Sequence, residues 1–119
     1  VFSTNEIIPS AGQGIIALQC RDNDNEIISL LDRINDKETF LRAQAERNVL
    51  KVLEGDCETA VGAYAFIEKD ILTLEAELFS LDGTQRFYEK NSCKLENVKE
   101  LGNEVGTILK TKSNNTYKK

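Results

Sequence analysis

Ile71-Leu72-Thr73-Leu74-Glu75-Ala76-Glu77-Leu78-Phe79 alternates without a break. Leu72, Leu74, Ala76 and Leu78 point one way; Thr73, Glu75 and Glu77 point the other. Strand side chains alternate between two faces, so this stretch reads as an antiparallel strand with one dry side and one wet side. Upstream, Ala60 to Ile67 is apolar on both faces, and Gly62 and three alanines leave room for close packing. Downstream, Asp82-Gly83 is a turn signal, and Thr84 to Lys90 reads as the return strand.

Helix patterns flank this sheet. Asn23-Asp24-Asn25-Glu26 reads as a capping box, with the Asn23 side chain facing the third helical amide and Glu26 reaching back. The helix that follows carries Ile27, Leu30, Leu31 and Ile34 on one face and stops near Asn35. Asp36 then caps a second helix with the stripe Leu41, Ala45, Val49 and Val52/Leu53, and Gly55 sits where a left-handed C-terminal residue is wanted. A last helix, Leu95 to Lys110, carries Val98, Leu101, Val105 and Ile108. The order α-α-β-β-β-α predicts an α+β domain over residues 22–112, a three-stranded antiparallel sheet covered on one face by helices. Residues 113–119 are polar and are expected to form a flexible tail.

Residues 1–21 do not read as the start of that domain. Ile7-Ile8-Pro9 is extended, Ser10 to Gly14 is a glycine-rich turn, and Ile15 to Cys20 reads as a short buried strand. Helix chemistry follows at once, so the strand has no local partner for its backbone groups. It is expected to belong to a preceding domain, or to pair with a second copy so that the fragment self-associates through residues 1–21.

The chain has 119 residues, 40% of them hydrophobic. No apolar run approaches the roughly 20 residues of a bilayer span, so a soluble protein without a membrane partner is expected, and its three scattered cysteines suit the cytoplasm. Twenty acidic against fifteen basic residues leave a net charge of −5, which argues against nucleic acid, since phosphate binding needs a cationic face. The absence of His removes imidazole acid–base chemistry and the commonest metal ligand. The chain also lacks Met and opens on Val1, so it is expected to be a piece of a longer one. Cys20, Cys57 and Cys93 are odd in number and scattered, which suits reduced thiols and neither a disulfide framework nor a metal site.

Gly12-Gln13-Gly14 lacks the spacing of either phosphate loop and by itself reads as a turn. Cys57 lies two residues beyond the helix-ending glycine, held in place yet reachable. From the residues alone it is either a small buried hydrophobe or a reactive thiol. Asp56, Glu58 and the carbonyl end of the preceding helix all disfavour thiolate, so a reacting partner would have to be a strong electrophile.

The series IIPSAGQGIIALQCR, AERNVLKVLEGDC, AVGAYA and SLDG, in this order and spacing, resembles the C-terminal third of the porphobilinogen deaminase (hydroxymethylbilane synthase) family. Such enzymes are transferases of tetrapyrrole and heme biosynthesis, condensing four porphobilinogen units head to tail with release of ammonia. The resemblance implies a three-domain, monomeric parent whose last domain is a three-stranded antiparallel sheet with helices on one face. It implies a dipyrromethane cofactor held by a thioether to Cys57, with Gln13 and Gly14 beside the pyrrole site. Loss of ammonia from porphobilinogen gives an azafulvene, an electrophile that an unassisted thiol can take. The family's catalytic aspartate and its carboxylate-binding arginines belong to the first two domains. Porphobilinogen and the growing tetrapyrrole would be met through those domains, and this chain alone is expected to be inactive, with no catalytic residue of its own.

The departures from the family pattern concentrate near the cysteine. Asp56 replaces its second glycine, Glu58 a glutamine, Ala60 a proline, and Gln19 an acidic residue. Negative charge beside a carboxylate-bearing cofactor opposes its attachment unless nearby cations offset it. Arg21 and Arg47 match family positions and suit either ligand contact or a domain-joining ion pair; Arg42 reads as part of a solvated helix face. Two other readings are a stand-alone interaction module, strand-exchanged through Ile15 to Cys20, and a redox-sensing thiol, against which the anionic flanks of Cys57 speak.

Overall fold

A computed structural model describes residues 1–54 and 58–119. Its elements run α1 (Asn25–Ile34), α2 (Lys37–Leu53), β1 (Val61–Glu68), β2 (Ile71–Phe79), β3 (Arg86–Lys94), a 3-10 turn (Leu95–Asn97) and α3 (Val98–Ser113). The strands form one antiparallel sheet in the order β1-β2-β3. The expected α+β architecture and its element order are present.

The alternation of β2 produces the core. Leu72, Leu74, Ala76 and Leu78 are fully buried, facing Val49 and Leu53 of α2 and Val105 and Leu109 of α3 in a single cluster. A two-residue turn joins β1 to β2, with Lys69 and Asp70 both left-handed (φ 50° and 61°), the backbone that matches strand twist. The two helices approach closely because α3 carries glycines. A Cβ on Gly102 would stand 2.5 Å from the Ala45 carbonyl oxygen, and one on Gly106 2.9 Å from Val52 Cβ. No helix among the described residues is long and apolar enough to cross a membrane.

Several expectations need correction. Asp24, not Asn23, caps α1, its carboxylate accepting from Ile27 N at 3.1 Å. The apolar face of α1 is uncovered: Ile27, Leu30 and Ile34 are exposed. At the end of α2 the left-handed residue is Glu54 (φ 53°), and Gly55 lies outside the described residues. Thr84 and Gln85 belong to the turn, because Asp82 accepts from Thr84 N and Ser80 Oγ from Gln85 N, so β3 starts at Arg86. In α3, Leu109 is buried and Ile108 only partly. Ile15 to Cys20 forms no strand here, with Ile16 89% and Leu18 60% exposed. A strand needs a ladder partner, and none lies along this segment among the described residues. Within the polar tail, Tyr117 is buried, 1% exposed.

The expected wet face of the sheet is partly covered too. Glu75 and Glu77 are buried, paired with Lys90 at 2.9 Å and Arg86 at 2.7 Å. Residue 8 crosses this face over Gly62, where a Cβ would come within 2.6 Å of the Ile8 carbonyl oxygen.

Candidate functional site

The glycine-rich turn is tied to the domain by a buried carboxylate. Glu46 sits on α2 beside Ala45 and is 5% exposed. Its Oε2 accepts from Gly12 N at 2.7 Å and its Oε1 from Ala65 N at 2.9 Å. Two residues along β1, Ala63 N donates to the Pro9 carbonyl at 2.9 Å. The outer edge of β1 is thus closed by Pro9 and Glu46 instead of being left as an open row of donors. Gly12 and Gly14 take φ of 74° and 77°, left-handed values that glycine adopts without strain. Gln13 and Gly14 are exposed, with Gln13 Oε1 accepting from Ser10 N at 3.3 Å. This turn is therefore fixed in place while its tip faces solvent.

Seven residues beyond Glu46 along α2, about 10 Å by helix rise, the helix ends at Leu53. The Glu54 carboxylate lies 3.6 Å from Lys118 Nζ and 4.0 Å from Lys110 Nζ, and Glu58 lies 2.7 Å from Lys119 Nζ. Tyr117 packs beneath, its hydroxyl donating to the Leu53 carbonyl at 2.8 Å, and burial pushes its phenol pKa above the ordinary value. Cys57 itself lies outside the described residues, between these two flanks.

The other singled-out residues are dispersed. Arg21 is largely exposed, 3.9 Å from Asp24; Arg47 is exposed and forms no ion pair among the described residues. Arg42 is half-buried and donates to Thr39 Oγ1 at 3.0 Å, so it is more than a solvated face. Cys20 and Cys93 are free thiols. Burial first, then Glu100, Glu104 and Glu96, raise the Cys93 pKa, which makes it a poor nucleophile. Among the described residues the arrangement holds and presents; no assembled acid–base pair is visible. Sequence reasoning missed Glu46, although a carboxylate three residues before Val49, on a core-facing stripe, was the available signal.

A family model described as the C-terminal domain of porphobilinogen deaminase matches residues 40–111. The chain belongs to the porphobilinogen deaminase family. A porphobilinogen deaminase of Exiguobacterium sibiricum is 42% identical over 109 residues, covering 91% of this chain and 35% of the relative. Those of Desulforamulus reducens and Coxiella burnetii strain RSA 493 are each 38% identical, over 102 and 108 residues, covering 86% and 91% of this chain and 33% and 35% of the relatives. The chain spans about a third of the length of the curated relatives it matches. The porphobilinogen deaminase domain match takes in Glu46, the LEGDC run, all three strands and most of α3. Segment 112–119, with Tyr117 and both tail lysines, falls beyond it.

Proposed function

We propose that this chain is the cofactor-carrying part of a porphobilinogen deaminase, a transferase that condenses four porphobilinogen units into hydroxymethylbilane with release of ammonia. Cys57 is the attachment point of a dipyrromethane through a thioether. The observation that carries the reading is the family match over residues 40–111, which includes Cys57 in its LEGDC context.

The described surroundings fit such a group. Acidic flanks would repel its carboxylate arms, but Glu54 and Glu58 each have a lysine partner. A dipyrromethane bound there supplies an immobilised pyrrole end from which a chain can be extended. This chain's own part is to hold: Cys57 provides the sulfur, and Glu46 on α2 fixes the turn that presents Gln13 and Gly14. The catalytic carboxylate and the arginines for pyrrole carboxylates are assigned to the preceding domains, so the 119 residues alone should give no turnover. Uroporphyrinogen-forming activity from them alone would contradict that.

Intact mass of the full-length enzyme tests the attachment. The parent should carry one dipyrromethane and the Cys57→Ala form none; an equal adduct on both would refute the assignment. Taken alone, the fragment is expected to self-associate through residues 1–21, since Ile16 and Leu18 are exposed on an unpaired segment. Sedimentation should show this association lost when residues 1–21 are deleted, and no change would argue against it.

A further inference from the structure

The two edges of the sheet are finished differently. Phe79 N donates to the Ala60 carbonyl at 3.0 Å and Ser80 N to the Gln85 carbonyl at 3.0 Å, so odd residues of β2 bond to β1 and even ones to β3. Antiparallel ladders alternate in this way, and the register Ala76↔Glu89, Leu74↔Asn91 then spends the odd residues of β3 on β2. The backbone groups of Tyr88, Lys90, Ser92 and Lys94 therefore point away from the sheet. On β1 the matching outward row is closed by Pro9 and Glu46. On β3 one side chain meets it among the described residues: Lys112 Nζ, on the last turn of α3, donates to the Tyr88 carbonyl at 3.1 Å and to Glu89 Oε2 at 2.7 Å. Among the described residues no bond reaches the outward backbone groups of Lys90 or Ser92, and both residues are exposed.

The geometry points to the outer edge of β3 as a strand-addition surface for a second copy of this chain, held shut by Lys112. An unpaired edge row is a template for another strand, and a lysine laid on it is one way of closing it. Two copies meeting about a two-fold axis run antiparallel here, and outward residues pair even with even. Centring the axis on Tyr88 sets Arg86 opposite the second copy's Lys90. Centring on Glu89 or Lys90 sets that residue against itself, and centring on Ser92 sets Lys90 against Lys94. Centring on Asn91 opposes Lys90 to Ser92, Tyr88 to Lys94 and Glu89 to Cys93, with no like charges face to face. Directly opposed like charges destabilise a strand pair, so this register is selected. In it, Tyr88 O must accept from the second copy's Lys94 N. That is the atom Lys112 already occupies, and the two-fold axis repeats the block at both ends of the ladder. Neither the glycine-rich turn nor Cys57 takes part, so the edge and the attachment reading are decided separately.

The test follows amide–water exchange of the 119-residue chain by NMR in dilute and concentrated samples. The Lys90 and Ser92 amides point outward and report pairing; the Asn91 amide bonds to β2 and reports that each variant is folded. In the parent, Lys90 and Ser92 should exchange at a rate independent of concentration. In Lys112→Ala both should slow on concentration, about tenfold once roughly nine chains in ten are paired. Lys112→Arg and Glu89→Gln keep a donor on the Tyr88 carbonyl and should behave as the parent. Added to Lys112→Ala, Ser92→Glu should strengthen pairing by facing the second copy's Lys90, and Ser92→Lys should abolish it, both read at the Lys90 amide. Exchange in Lys112→Ala that ignores concentration, or slowing on concentration in the parent or in Glu89→Gln, overturns the latch. Equal effects of the two Ser92 substitutions overturn the register. Association through residues 1–21 leaves both amides outside any ladder and does not imitate the signal.

Discussion

Replacing Glu46 by Gln removes one acceptor from a site that has two donors. The carboxylate takes Gly12 N at 2.7 Å and Ala65 N at 2.9 Å, and the side chain is almost wholly buried. Glutamine has nearly the same shape but one oxygen and one NH2. Whichever way it turns, one backbone N–H faces another donor and is left unsatisfied. A hydrogen bond to a charged group contributes about 1.5–3 kcal/mol, and an orphaned buried donor costs about 1–3 kcal/mol. Neutralising a buried carboxylate recovers part of its desolvation cost, which pulls the net loss to about 2 kcal/mol. For a chain of this length that corresponds to a fall in Tm of roughly 8 °C. Circular dichroism melting measures the fall, and hydrogen exchange at the Gly12 and Ala65 amides locates it. A variant melting within about 2 °C of the parent, with both amides still protected, would refute this role for Glu46.

Three further outcomes are expected. Gly102→Ala would gain about 1 kcal/mol in a free helix, yet its Cβ would stand 2.5 Å from the Ala45 carbonyl oxygen; the overpacking cost of about 1–3 kcal/mol wins, and the urea midpoint should fall rather than rise. Asp82 accepts hydrogen bonds from Ser80 and Thr84, which hold its pKa down to about 2 against an ordinary 3.8. Its stabilisation is therefore present above 3.8 and lost as pH falls toward 2, so stability of Asp82→Asn should vary less with pH across that window, as acid titration of the urea midpoint would show. Tyr117→Phe leaves the Leu53 carbonyl without its donor and should lower stability by about 1 kcal/mol. Because burial raises the Tyr117 pKa, the parent also loses stability as pH rises beyond the ordinary value of 10; alkaline melts of the Phe variant should lack that loss.

What the sequence made legible is what depends on near neighbours. The alternation of residues 71–79 yields β2 with both boundaries, and Asp36 caps α2 through Thr39 N at 2.8 Å, as its position implies. The site's less legible parts depend on partners far along the chain. Glu46 reaches amides 34 and 19 residues away, and Tyr117 reaches a carbonyl 64 residues away. No local pattern announces such bonds. Gly102 and Gly106, one helical turn apart, were a visible sign of close helix packing that apolar periodicity alone does not register. Ile15 to Cys20 shows the opposite failure: its apolar run has strand character, but without a paired edge it stays irregular and exposed. Near Cys57 the acidic flanks were readable, whereas the lysines that balance them lie about sixty residues downstream and arrive only through the docking of Tyr117.

The most direct measurement is peptide mapping of the full-length enzyme purified without reductive cleavage. Trypsin releases residues 52–69, a peptide whose single cysteine is Cys57. That peptide should carry the mass of one dipyrromethane, with the peptides of Cys20 and Cys93 unmodified. An active enzyme whose 52–69 peptide bears a free thiol, or whose pyrrole adduct sits on another cysteine, would contradict the assignment.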